Sequence, residues 1–219
     1  ADSETGEVKT ARPIKVLKEI PQLRLLFSGV FIAILAIVGF DVLASIFCRD
    51  VLHQGEKVYG LSISLVGIGS LCATLFLMLR KKEANAWKDL VNGFLLLTVI
   101  PLALVVALQL QDTQIALYLL MSACFFGGIG NGLAHVQIGT IMQLVTPREI
   151  LGQVGGWLQM VMICGQLVGL LLTPALVPGL VPMDMYFSGM VVLMGILVVF
   201  LSSQLFGKRG LISVDRVPE

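Results

Sequence analysis

An all-α membrane protein of six transmembrane helices is the fold class this sequence predicts, and three observations predict it. Hydrophobic residues make up 57% of the 219 residues, charged residues only 13%, and the mean hydropathy is +0.93. A soluble chain carries about 25% charge, so this one cannot cover its own surface with polar groups. The apolar residues also fall in six charge-bounded runs, each near the roughly 20 residues needed to cross about 30 Å of hydrocarbon. Finally, the runs are apolar on every face, whereas a barrel strand alternates over roughly 10 residues.

The elements follow in order. Residues 1–12 are expected to be a disordered tail. They lack the apolar core and small-residue cleavage site of a signal peptide, and because Ala1 rather than Met opens the chain, a fragment or processed product is expected. In RPIKVLKEIPQLRLLF the bases alternate with Ile, Val and Leu at helical spacing. Residues 13–24 should therefore form an amphipathic helix on the membrane surface, set off from the first span by Pro21. Spans are expected at about 25–47, 58–79, 90–111, 115–144, 153–177 and 185–206. Asp41 interrupts the first, Arg80, Lys81 and Lys82 close the second, and Asp89 and Asp112 bound the third. Thr146, Pro147 and Arg148 close the fourth. Thr173 and Pro174 should bend or end the fifth. Lys208 and Arg209 close the sixth, leaving 208–219 as a second tail.

Thirteen of the basic residues fall on one side of this arrangement: Lys9, Arg12, Lys15, Lys18, Arg24, Arg80, Lys81, Lys82, Lys88, Arg148, Lys208, Arg209 and Arg216. Only Arg49 and Lys57 fall on the other. By the positive-inside rule both termini are expected in the cytoplasm of a plasma-membrane protein. The formal net charge of +1 argues against a nucleic-acid partner. Cys48, Cys72, Cys124 and Cys164 form no C-x-x-C pair, so neither a disulfide framework nor a metal site is expected. No P-loop, H-E-x-x-H or G-x-S-x-G string occurs, and Ser70 in GIGS lacks the following glycine of an intramembrane serine protease. Neither enzymatic activity nor a cofactor is expected.

Polar groups inside the spans are few and costly to bury. Asp41 is either a cavity group that binds a cation or relays a proton, or an interfacial carboxylate reached by water. Asn131 and His135 are four residues apart and share a helix face. They either face a cavity or tie neighbouring helices together. The pairs Gly128/Gly132 and Gly165/Gly169 have the G-x-x-x-G spacing that lets helix backbones approach closely, and Gly60 with Ser64 is a small-residue version.

Several strings together resemble the C-terminal half of a major facilitator superfamily transporter, helices 7 to 12, nearest the macrolide and enterobactin-type exporters, over about residues 13–207. EIPQLRLLF resembles the lead into helix 7, and CRDVLHQGEKVYGLSISLVGIGSL the outer loop and glycine-rich helix 8. LRKK with Asn92–Gly93 resembles the basic 8–9 loop. GGIGNGLAHVQIGTIMQLVTPREILGQVGG resembles helix 10 and the 10–11 loop, with Pro147, Glu149, Gly152 and Val154 on the family pattern. Gly156, Gly165 and Gly169 have the spacing of the antiporter motif. The 8–9 loop lacks the family's aspartate, Leu151 and Gln153 stand where arginines are usual, and Leu170 replaces a proline.

The resemblance implies a major-facilitator-type half-bundle that works by alternating access. It implies efflux of a drug-like or amphipathic small-molecule substrate across the lipid bilayer, with proton coupling through Asp41 and His135. The second half would be an N-terminal six-helix bundle or another copy. Asp41, Asn131, His135 and Gln137 would line the cavity, joined by Ser62 and Ser64. Lys81, Lys82, Arg148 and Glu149 would act in cytoplasmic gating, and Gly128, Gly132, Gly156, Gly165 and Gly169 in helix packing. An uptake carrier of the same fold, or a non-transporting six-helix partner or receptor, would share most of these features.

Overall fold

The computed structural model describes residues 20–51, 56–80, 85–110, 112–177 and 179–206. All regular structure among them is helical. The helices are α1 (Pro21–Ile46), continued by a π-helical turn at Phe47–Val51, α2 (Glu56–Leu79), α3 (Ala86–Leu97), α4 (Val99–Gln109), α5 (Thr113–Val145), α6 (Leu151–Leu176) and α7 (Met183–Phe206). Helices α3 and α4 together make one span, so the described residues contain six stretches long and apolar enough to cross a membrane. Both expected tails, and residues 13–19 of the expected surface helix, lie outside the described residues.

Local chemistry sets several boundaries. Pro21 opens α1 rather than preceding it, because a proline at the first helical position gives up only an N–H that would be unpaired anyway. Gln22, Leu23 and Arg24 therefore belong to the first turn of α1, and not to a separate helix. The side chain of Asn85 accepts from the Trp87 N–H at 3.1 Å and caps α3. Asp112 accepts from the Gln114 N–H at 2.9 Å and caps α5.

The third span is broken where a single helix was expected. Pro101 has no N–H to give the Leu97 carbonyl, and its ring crowds that carbonyl. The helical run lapses at Thr98. There the Thr98 Oγ1 bonds back to the Phe94 carbonyl at 2.9 Å, supplementing the main-chain bonds of the break, as hydroxyl side chains do where proline frees backbone in a membrane helix.

The packing of the spans repeats. α1 packs on α6 as α5 packs on α2, and α3 packs on α5 as α7 packs on α1. The third and sixth spans pack on each other, as do α1 and α5, and the lesser contacts of α1 with α2 and of α5 with α6 also correspond. Exchanging the first three spans for the last three thus carries the packing arrangement onto itself.

Glycines make the tightest of these contacts. A methyl group on Gly128 would collide with the Val66 backbone, and one on Gly132 with Ser70 and Ala73, so α5 lies directly against α2. Gly130 and Gly93 bring α5 onto α3 in the same way. Gly165 faces Ile34 and Phe31, and Gly169 faces Val38, placing α6 on α1. Among the described residues, a methyl group on Gly156, expected in packing, would have no neighbour within 4 Å, and the same holds for Gly60 and Gly67 of α2 and Gly152 of α6. Two buried apolar clusters stack along the bundle. One is built around Leu23, Leu26, Leu90, Phe94, Val154 and Leu201. The other is built around Leu43, Phe47, Leu104, Leu120, Cys124 and Phe187.

Candidate functional site

A cavity of about 520 Å³ opens where the two clusters meet, lined by residues of both, such as Ala36 and Leu97 from one and Phe40 and Ile100 from the other. Leu97, Ile100 and Pro101, at the break in the third span, all line it. α1 contributes Asp41, α2 contributes Tyr59, Ile63 and Val66, and α5 contributes Asn131. A second cavity of about 200 Å³ shares Ile37, Asp41, Leu97 and Asn131 with the first and adds His135, Met162 and Gln166. The larger volume suits a drug-sized molecule, for which pockets run about 300–1,000 Å³ with apolar walls and a few placed polar groups.

The structure brings three of the expected residues together. Asp41 and Asn131 line both cavities, and His135 lines the smaller one. Among the described residues, neither a hydrogen bond nor an ion pair engages the Asp41 carboxylate, although its main-chain carbonyl receives a long contact from the Tyr59 hydroxyl at 3.5 Å. Asn131 both faces the cavity and ties two helices. Its Nδ2 donates to the Ser70 Oγ at 3.2 Å, and Ser70 donates to the Gly128 carbonyl at 2.9 Å.

The other expected residues lie elsewhere. Gln137 lines neither cavity. It is buried, and its Nε2 donates to Asp89 Oδ2 at 3.3 Å. Ser62 is 1% exposed, turned into the α2–α5 contact, and donates to the Val58 carbonyl at 2.9 Å. Ser64 is on the open face of α2 and donates to the Gly60 carbonyl at 2.9 Å. A serine four residues after a carbonyl can always satisfy itself within its own helix, which is why neither hydroxyl must seek the cavity. Of the expected gating residues, Lys81 and Lys82 lie outside the described residues. Arg148 and Glu149 are exposed, and neither forms an ion pair among the described residues.

One ion pair among the described residues joins two residues expected only as span boundaries. Arg80 Nη1 stands 3.0 Å from Asp89 Oδ2 and 3.2 Å from Oδ1, and Gln137 completes the carboxylate's shell. This network fastens the end of α2 to the start of α3 and to α5. Asp89, Ser70, Tyr59, Gln166 and Pro101 are the site and network residues that sequence reasoning missed. A proline within a run expected to be one helix was the signal available for the last.

Comparison with models of known protein families, with curated proteins and with solved structures finds no match to this chain. The class is that of a multi-pass helical membrane protein, with six stretches among the described residues long and apolar enough to cross a membrane.

Proposed function

We propose that this chain is a six-helix half of a secondary transporter of the major facilitator type, with both termini cytoplasmic, that exports an amphipathic small molecule by alternating access. The observation that carries the reading is the repeat in the packing. Three-span repeats nested in each six-helix half, with polar binding groups near the midplane at the repeat interface, are the architecture of such transporters. Here α1 and α5, which the exchange maps onto each other, supply the two polar groups common to both cavities, Asp41 and Asn131. The order of motifs from EIPQLRLLF to the antiporter-type glycine spacing supports the same family.

The open faces support a second bundle. Gly60, Ser64 and Gly67 on α2, and Gly152 and Gly156 on α6, leave small-residue surface uncovered. α2 and α6 are also counterparts under the exchange. Small residues let helices from a partner approach closely, so an N-terminal six-helix half or a second copy would seat there. Asp41 with His135 is the group through which a proton would couple to transport.

Counterflow of a lipophilic dye into proteoliposomes holding the chain and its partner bundle tests the reading. Transport lost in Asp41→Asn with Asn131→Ala, at unchanged protein level and melting temperature, supports it. Undiminished transport in that double variant, or none with the unaltered protein, overturns it.

A further inference from the structure

We infer that the cavity's ligand is a lipophilic ammonium carrying at least one N–H, held between the Asp41 carboxylate and the Oδ1 of Asn131. This assignment rests on the cavity being the substrate site proposed above, and it goes further by fixing the chemistry of the ligand's polar end.

A hydroxyl has one hydrogen, and that of Ser70 is given to the Gly128 carbonyl at 2.9 Å. Toward Asn131 it can therefore only accept. The amide must present Nδ2 to it, as it does at 3.2 Å, and cannot rotate by a half-turn without setting an oxygen against an oxygen. Oδ1 is then the amide atom left over, and no described residue donates to it. Since Asn131 lines both cavities, Ser70 in effect makes it an acceptor there.

Asp41 adds the charge. It lines the same two cavities, and its carboxylate has no partner among the described residues. Neither cavity is lined by a described Lys or Arg. Asp41 is exposed on the cavity wall, and a carboxylate facing mostly apolar neighbours inside a span attracts a cation, while an anionic ligand would meet like charge. Tyr59 also lines the larger cavity, and an aromatic ring there can attract a cation. Phe40, Ile63, Val66, Ile100 and Met194 make the remaining wall apolar, which calls for a hydrophobic body. Two acceptors, an aromatic ring and apolar walls together select a protonated hydrophobic amine over a neutral or acidic compound. They also favour an N–H ammonium over a quaternary one, which cannot donate to Oδ1.

Equilibrium binding to the chain assembled with its partner bundle in lipid nanodiscs, as for counterflow, tests this. The probes are imipramine, whose protonated tertiary amine has one N–H, its quaternary N-methyl derivative, and iminodibenzyl, the neutral tricycle. Imipramine should bind tightest. Asp41→Asn should weaken it by about tenfold or more while leaving iminodibenzyl within about twofold, and Asp184→Asn, an exposed carboxylate in the first turn of α7, should change nothing. Ser70→Ala serves as a second variant should Asp41→Asn fail to fold. Ser70 is a positioning residue, so its loss should lower the preference for imipramine over the quaternary form by about threefold to tenfold without altering iminodibenzyl binding. Equal binding of imipramine and iminodibenzyl, indifferent to Asp41→Asn, would overturn the ammonium assignment while leaving the cavity as a ligand site. Equal binding of imipramine and its quaternary form, unmoved by Ser70→Ala, would overturn the Asn131 acceptor. Binding of none of the three would overturn the site itself, whereas the proposed transport function is decided separately by counterflow.

Discussion

The Nδ2 of Asn131 on α5 lies 3.2 Å from the Oγ of Ser70 on α2, and the Ser70 proton is committed to Gly128. One hydroxyl thus joins two helices and sets which atom of Asn131 is left for the cavity. Removing it in Ser70→Ala should cost about 0.6–2 kcal/mol, the range for interhelical hydrogen bonds in membranes. A melting temperature in detergent lowered by a few degrees, with unchanged helical content, is the expected result. No loss of stability would show that the bond adds nothing to the packing.

Glycine substitutions should separate covered from open faces. Gly132→Ala places a methyl group against the Ser70 and Ala73 positions of α2 and should cost about 1–3 kcal/mol, as overpacking does. Gly156→Ala meets nothing, and in the isolated chain it should be neutral or slightly stabilising because alanine is the better helix former. Thermal melts of the two variants side by side check this, and equal losses would contradict the packing described.

The Arg80–Asp89–Gln137 network should respond unequally to loss of its two charges. Arg80 retains 37% of its side-chain exposure and Asp89 only 11%. Arg80→Ala therefore strands a nearly buried carboxylate and should cost about 3 kcal/mol, at the lower end for a broken buried pair. Asp89→Ala leaves an arginine that water can reach and should cost about 1–2 kcal/mol. Unfolding in mixed micelles measures both, and the order reversed would refute the account.

Pro101 breaks the third span beside the cavity. In Pro101→Ala the new N–H can bond to the Leu97 carbonyl, close the lapse at Thr98 and alter the wall of the cavity. Stability should be unchanged or higher, since proline disfavours helix interiors, while binding of a cavity ligand falls at least several-fold. Retained affinity together with raised stability would show that the break does not shape the site.

Gly39 sits under the hydroxyl of Tyr186, so Gly39→Ala should displace that ring. The Tyr186–Thr173 bond of 2.9 Å between α7 and α6 would then be lost. Gly39→Ala should destabilise at least as much as Tyr186→Phe, by about 1–3 kcal/mol. Melting of the single variants and of the double variant, in which the effects should not add, tests the shared cause.

Much of the architecture was legible from hydrophobicity and charge. Runs bounded by Arg80, Asp112 and Arg148 end where helices end, because a helix crossing hydrocarbon must satisfy its backbone internally and cannot carry charge far inside. Asp41, Asn131 and His135 were also legible as cavity candidates, since a polar side chain within an apolar span stands out against its neighbours. Gln137 stood out equally and belongs to Asp89 instead. Ser62 and Ser64 satisfy themselves within α2. Nothing in their local sequence distinguishes these outcomes.

Hydropathy and charge along the chain give the number of spans, their approximate ends and the places where small residues permit close approach. Which face of each span is covered, which of Gly132 and Gly156 is pressed against a neighbour, and which polar group meets the cavity follow from the packing of the helices on one another. The reason lies in the solvent. In water an apolar stripe marks the buried face of a helix, whereas lipid is as apolar as the protein interior and leaves no such stripe. The faces of α2 and α5 were therefore set by the fit of glycine against backbone, that of α6 by glycines seated on the side chains of Phe31, Ile34 and Val38, and all by a few interhelical hydrogen bonds, and those depend on residues far apart in the chain.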